Sequence, residues 1–221
     1  MLFILWGKIL NYKETIMKLI IRKIYESEFY FTENLTRETF WNLYKSGCEE
    51  HLVLHNLRKS KSYIKELDLI AIHNFLIVGH IISTRALIKN KFGKEHEVLC
   101  VGPISVSPAL QNKGIGTILI DYSISKARKM GFKGMILFGN SGYYHRFGFK
   151  NAKEFKIATK DNQNFEPFMA LELIENGLKN VKGLFYDDEA FVINEEQLLE
   201  FEKQFPIKEK SKPIFDLRQY T

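Results

Sequence analysis

The chain has 221 residues, 45% of them hydrophobic, and a net charge of +6, a length that suits one domain with or without a small appendage. Two cysteines, Cys48 and Cys100, exclude a disulfide framework and point to a reduced, cytoplasmic setting. No Arg-rich stripe or nucleic-acid motif is present, so DNA and RNA are not expected as partners, whereas the modest positive field favours an acidic ligand.

The opening run Met1–Trp6 is apolar, but Lys8 interrupts it well short of the roughly 20 residues that span a bilayer. Residues 1–16 read as an extension outside the fold: a mistaken start codon, a membrane-surface anchor or a partner-binding arm. The first strand is expected at Leu19–Ile24. Helical spacing of Phe40, Leu43 and Tyr44 predicts a helix over 34–47, and Leu54 and Leu57 predict a second over 49–59. His51 and His55 share a face of that second helix, but no glutamate follows His51 and no third ligand is evident, so no metal site is expected.

Leu67–Ile72 and Phe75–Ile88 are β-branched runs joined at His73-Asn74, which reads as a hairpin. A turn at 90–94 containing Gly93 leads into a third long strand over 98–106, completing an antiparallel meander. A helix from Thr117 to Met130 follows, with basic residues in its last turn and Gly131 at its end, as dipole and capping rules expect. Further strands are expected at 134–138, from Phe149 and at 168–173, with another at 190–193 and a short helix over 195–205. The tail from Pro206 reads as mobile.

The junction of the third long strand with its helix carries the chemistry. Its sequence is Val106-Ser107-Pro108-Ala109-Leu110-Gln111-Asn112-Lys113-Gly114-Ile115-Gly116. The first turn of a helix exposes about four NH groups without intrahelical partners and roughly half a positive charge. An anion binds best at such a place. Gly114 and Gly116 let a bulky diphosphate approach the backbone, and Lys113 adds a cation. A Walker A loop does not fit, because the lysine precedes the glycine, and the three-glycine dinucleotide fingerprint fails at Leu119.

Val-x-Pro followed by Gln-x-x-Gly-x-Gly resembles the coenzyme A loop of the GNAT superfamily of N-acetyltransferases. Tyr144-His145-Arg146-Phe147-Gly148-Phe149 is similar to that family's Tyr-x-x-x-Gly-Phe. The likeness runs from about Leu19 to Ile174. It implies an α/β (α+β) fold with a mixed, mostly antiparallel sheet, helices on both faces and a splay beside the cofactor strand. The domain would occupy 17–175, with an appendage at 176–205 packed on it and a mobile tail at 206–221.

By the same resemblance, backbone groups of Ile104 and Val106 would pair with the pantetheine arm of acetyl-CoA, and Gln111, Asn112, Lys113, Gly114, Ile115, Gly116 and Thr117 would hold the diphosphate. Tyr144 would assist the departing thiolate. The implied activity is acetyl transfer to a primary amine of a small molecule or peptide, by a monomer or homodimer. Alternatives are a non-catalytic acyl-CoA-binding module and an acetyltransferase for protein amino groups.

Two family contacts fail to transfer. The asparagine seven residues before the tyrosine is missing, since Asn140 precedes Tyr144 by only four. The glutamate eleven residues before the glutamine is replaced by Cys100. Glu97 is then the candidate base, with Glu95, His80 and His145 as weaker ones.

Overall fold

The computed structural model describes residues 18–215. The expected N-terminal extension and the end of the expected tail, residues 216–221, lie outside the described residues. Four strands open the fold: β1 (Ile20–Lys23), β2 (Asp68–His73), β3 (Leu76–Lys89) and β4 (Glu95–Val106), each antiparallel to the one before it. They are followed by β5 (Gly134–Phe138), β6 (Lys150–Asn151), β7 (Ile157–Thr159), β8 (Phe168–Glu172) and β9 (Gly183–Tyr186).

The main sheet runs β1-β2-β3-β4-β5-β8-β6, with β9 paired to β3 and β7. Among the described residues only the β4–β5 and β7–β9 pairs are parallel. Strand β9 was not anticipated, and the strand expected at 190–193 is instead largely a single 3-10 turn at Glu189–Phe191.

Among the described residues five α-helices accompany this sheet: α1 (Phe29–Phe40), α2 (Glu50–Lys59), α3 (Ile115–Lys129), α4 (Ser141–Tyr144) and α5 (Glu195–Glu202). Alternation along the strands sends Leu69, Ile81, Leu99, Val101 and Met135 to one face, where Ile115, Leu119 and Ile124 of α3 complete a core. Cys100, Ile136 and Ala170 point the other way, into a second core with Ala152, Leu178 and Phe185. On α2, Val53, Leu54 and Leu57 cover Ile82 on that side. Residues 176–205 are thus part of the packed body.

Helix α1 departs from its sequence expectation at both ends. It starts five residues early, because the Glu28 carboxylate accepts from the Tyr25 NH and closes the preceding 3-10 turn. It stops at Phe40 because Asn42 enters the left-handed region at φ 57°, and its Oδ1 accepts from Gly47 N, itself at φ 77°. Apolar spacing continued across a loop that local hydrogen bonding had already closed.

The hairpin turn falls at Asn74-Phe75, one residue later than expected, with both residues at positive φ. The tail is also ordered as far as it is described. Trp41 Nε1 donates to Glu209 O at 2.8 Å, and the NH groups of Ile214 and Phe215 donate to the carbonyls of Asn42 and Leu43. A strap over the end of α1 replaces the expected free tail between 206 and 215.

Candidate active site

Strands β4 and β5 are registered only at Leu99–Met135 and Cys100–Ile136. Beyond Cys100 they diverge, and β4 continues alone on that side to Val106. Ser107 N donates to Val78 O across to β3, which sets the antiparallel alternation: Ser105 faces β3, whereas Ile104 and Val106 turn their NH and C=O groups into the gap. The Val106 carbonyl accepts from Thr39 Oγ1 at 3.2 Å and from Gln111 Nε2 at 3.3 Å.

Past Val106 the chain makes a 3-10 turn at Pro108–Leu110 and enters α3 through Gly114 at φ 84°. That conformation explains Gly114, since a side chain there would meet nothing within 4 Å. Asn112 shares the left-handed region at φ 60°, where asparagine is tolerated. Gly116 makes room for a neighbour: a Cβ there would stand 2.9 Å from the Tyr143 hydroxyl, which would have to shift.

The first backbone bond of α3 is Ile118 N to Gly114 O, so the NH groups of Ile115, Gly116 and Thr117 open outward without intrahelical partners. Gln111, Asn112, Lys113 and Gly114 are exposed around them, while the Ile115 side chain is buried. Gly79 sets the depth of α3, because a Cβ on it would press within 2.9 Å of both Leu119 and Ile115.

Tyr144 lies in the wedge between the diverging strands, beside Val101, Ile104, Leu137 and Phe149. Its ring packs flat across Gly139, where a Cβ would clash at 2.3 Å, and edge-on to Phe149. Burial, followed by the neighbouring Tyr143 and Tyr44 phenols, pushes its pKa upward, so Tyr144 is an intact O–H donor at neutral pH. Tyr143 reaches the glycine loop, with the Arg146 guanidinium 4.6 Å above its ring.

Ile104, Val106, the glycine loop from Gln111 to Thr117, and Tyr144 therefore gather at one end of β4. Glu97 is not among them. It lies nine residues before Val106 on an extended strand, about 30 Å away at about 3.3 Å per residue, and pairs with Arg85 at 3.0 Å on an exposed surface. Glu95 pairs with Lys89 at the same far end. His80 is fully buried with Asp68, and His145 is exposed.

Sequence reasoning missed Thr39 and Tyr143. Thr39 carries no local signal, since it meets Val106 across 67 positions of chain. Tyr143 was readable only as a neighbour of the Tyr144 motif.

Two buried polar networks fix α1 and α2, one to the sheet and one to α5. Arg58 donates to Asp68 at 2.9 Å and to Thr32 at 2.8 Å, and His80 Nε2 lies 2.7 Å from Asp68. Burial alone would raise the Asp68 pKa, but His80 and Arg58 hold it down at about 2. In the second network Arg37 forks onto Glu202 of α5, and His51 Nε2 stands 2.7 Å from the same carboxylate. Burial keeps that imidazole neutral, with its pKa lowered to about 4. His51 and His55 are thus engaged separately, His55 with Glu33 at 3.1 Å. Among the described residues no cluster suited to a metal occurs, and no helix is long and apolar enough to cross a membrane.

Comparison with known proteins agrees with this architecture. The family model of the Acetyltransferase (GNAT) family matches residues 20–149. The chain is 33% identical over 95 residues to the uncharacterized N-acetyltransferase YjhQ of Escherichia coli strain K12. That match covers 43% of this chain, which spans about half (52%) of the length of that relative.

The GNAT family N-acetyltransferase YhbS of Escherichia coli, solved with CoA, superposes with a TM-score of 0.70 at 19% identity, over 82% of this chain and 96% of that one. A GNAT family acetyltransferase from Brucella melitensis, solved with acetyl-CoA, gives 0.65 at 28% identity over 79% and 99%. With its splayed β4–β5 pair, glycine loop and Tyr144 motif, the chain belongs to the GNAT acetyltransferase family.

Proposed function

We propose that the protein is an acetyl-CoA-dependent N-acetyltransferase that acetylates a primary amine of a small molecule or peptide by direct attack on the thioester. The observation that carries this reading is the open edge of β4. Ile104 and Val106 present backbone groups into the gap, and the same strand runs straight into the partnerless NH groups of α3. A ligand with an amide-bearing arm and a diphosphate fits both parts at once, and the two relatives solved with CoA or acetyl-CoA support that choice.

When bound, acetyl-CoA supplies an activated carbonyl with a thiolate leaving group. The NH groups of Ile115, Gly116 and Thr117 hold the diphosphate, aided by the exposed Lys113. Val106 NH donates to the carbonyl oxygen, whose negative charge grows during attack. Tyr144 donates its O–H toward the sulfur. A phenol raised above its usual pKa of about 10 is a poor match for a thiol near 8.5, so Tyr144 stabilises the thiolate by hydrogen bonding more than by complete proton transfer.

The amine must arrive neutral, and a lysine-like amine is neutral in only about four parts in ten thousand at pH 7. Glu97, at the far end of β4, is not placed to help, so the proton leaves by another route.

Thiol release on a panel of amines tests the reading. Turnover is expected with at least one primary amine, and Tyr144→Phe is expected to lower kcat about a hundredfold or more with acetyl-CoA affinity unchanged. Acetyl-CoA binding without turnover on any amine would instead identify a non-catalytic binding module.

A further inference from the structure

A surface cavity of about 340 Å³ opens between residues 154–156, which lead into β7, and residues 178–182, which lead into β9. Lys156, Lys179 and Lys182 line it together with Asn180 and one carboxylate, Glu154, and Phe155 and Leu178 give it an apolar part. Hydrogen bonds fix its walls. Lys156 ends a 3-10 turn at φ 60°, and its carbonyl accepts from the Gly183 NH at 3.1 Å, where β7 and β9 begin their parallel pairing. On the opposite wall the Leu178 NH donates to Glu172 Oε1 at 2.9 Å, the Val181 NH donates to the Leu178 carbonyl, and the Leu178 side chain is buried against Gly134.

Among the described residues the lysines held in ion pairs are Lys45, Lys89, Lys203 and Lys208. The three lysines of the cavity are not, so it carries an excess of two positive charges over Glu154, which a diphosphate balances. Lysine is a common phosphate ligand. Glu154 repels a bare anion but accepts hydrogen bonds from hydroxyl or amino groups, and Asn180 offers both a donor and an acceptor. The half-buried Phe155 presents a ring of the kind on which nucleic acid bases stack. The volume lies at the lower end of the range for small-molecule sites.

This place is remote from the glycine loop. Leu184 of β9 is registered with Lys89 of β3, and Lys89 with Glu95 at the start of β4. Val106 is eleven residues further along that strand, about 36 Å at about 3.3 Å per residue.

We propose that the cavity is a second ligand site, for a nucleoside diphosphate: Lys156, Lys179 and Lys182 bind the phosphates, Phe155 and Leu178 the base, and Glu154 and Asn180 the ribose hydroxyls. It shares no residue with the glycine loop and stands apart from the acetyltransferase reading.

The test is calorimetric titration of ADP into the full chain in EDTA, so that only protein cations meet the diphosphate, with and without saturating acetyl-CoA. Saturable one-site binding with the same Kd in both is expected. The double variant Lys179→Ala, Lys182→Ala should raise that Kd about tenfold or more, whereas the same loss of charge at the exposed Lys59 and Lys61 should leave it unchanged. Phe155→Leu should weaken ADP about fivefold without affecting pyrophosphate.

Lys156→Gly separates a ligand contact from a structural one. Glycine suits the left-handed position better, so this variant should keep its thermal stability and still bind ADP about threefold more weakly. No saturable binding of ADP, displacement of ADP by acetyl-CoA, or equal effects of the two double variants would overturn the second site. Pyrophosphate bound as tightly as ADP would overturn its assignment to a nucleoside.

Discussion

The two sides of the β4 gap are built from different materials. On the proposed cofactor side, β4, the glycine loop, α3 and Tyr144 lie within one stretch of 55 or so residues from Glu95 to Phe149, where backbone groups would do most of the binding. On the other side, α1, α2, α5 and the strap come from opposite ends of the chain. They are fastened by side chains such as Arg37, which reaches Glu202 and Pro206. A backbone site tolerates little change in local conformation, whereas a side-chain wall is free to vary, so in the proposed reading the glycine-loop side would specify the reaction.

The sharpest way to break this contrast is to cut one of the buried networks that hold α1 and α2. Asp68→Asn removes the nearer of the two carboxylates on the buried Arg58, leaving Glu33 at 3.3 Å, and is expected to cost about 3 kcal/mol in urea unfolding, the low end for a broken buried pair. A loss under about 1 kcal/mol would mean that the network is not what holds α2 in place.

Acid probes both networks. The unfolded chain protonates His51 near pH 6.5, but the folded chain does so only near about 4. The unfolded state therefore binds the extra proton across that window, and stability falls as pH drops from 6.5 to 4, by up to about 3 kcal/mol. His51→Gln should flatten that decline if urea midpoints are followed against pH. Asp68, held at about 2 in the fold, removes further stability from about pH 4 downward.

The smallest effect is expected at Glu97. It is half exposed and paired with Arg85, so Glu97→Gln should change stability by less than about 1 kcal/mol and leave kcat within about a factor of two, the scatter of an exposed site. A large drop in kcat would reinstate Glu97 as a base and undo the placement of the reaction at the other end of β4.

Sequence reading located the glycine loop between β4 and α3 because its signals are local. Gly114 needs φ 84°, Gly116 needs space, and both needs are written in one short motif. It captured the meander and α3 through periodicity. It failed where partners are remote in sequence: Thr39 meets Val106, Arg37 meets Glu202, and Phe215 meets Tyr44 across 67, 165 and 171 positions. It also misjudged α1 and the strap, since Asn42 ends the helix through its own side chain and then accepts the Ser211 NH. Glu97 was chosen for proximity in sequence, and an extended strand turns such proximity into distance.

The most direct single measurement is calorimetric titration of acetyl-CoA into wild-type protein and into Gly116→Val, with circular dichroism to verify folding. Saturable one-site binding is expected for wild type, weakened at least about a hundredfold, or about 2.7 kcal/mol, in the variant, whose side chain collides with the Tyr143 hydroxyl and fills the diphosphate cradle. Equal affinity in the two folded proteins, or no binding to wild type, would contradict the placement of the cofactor on the glycine loop.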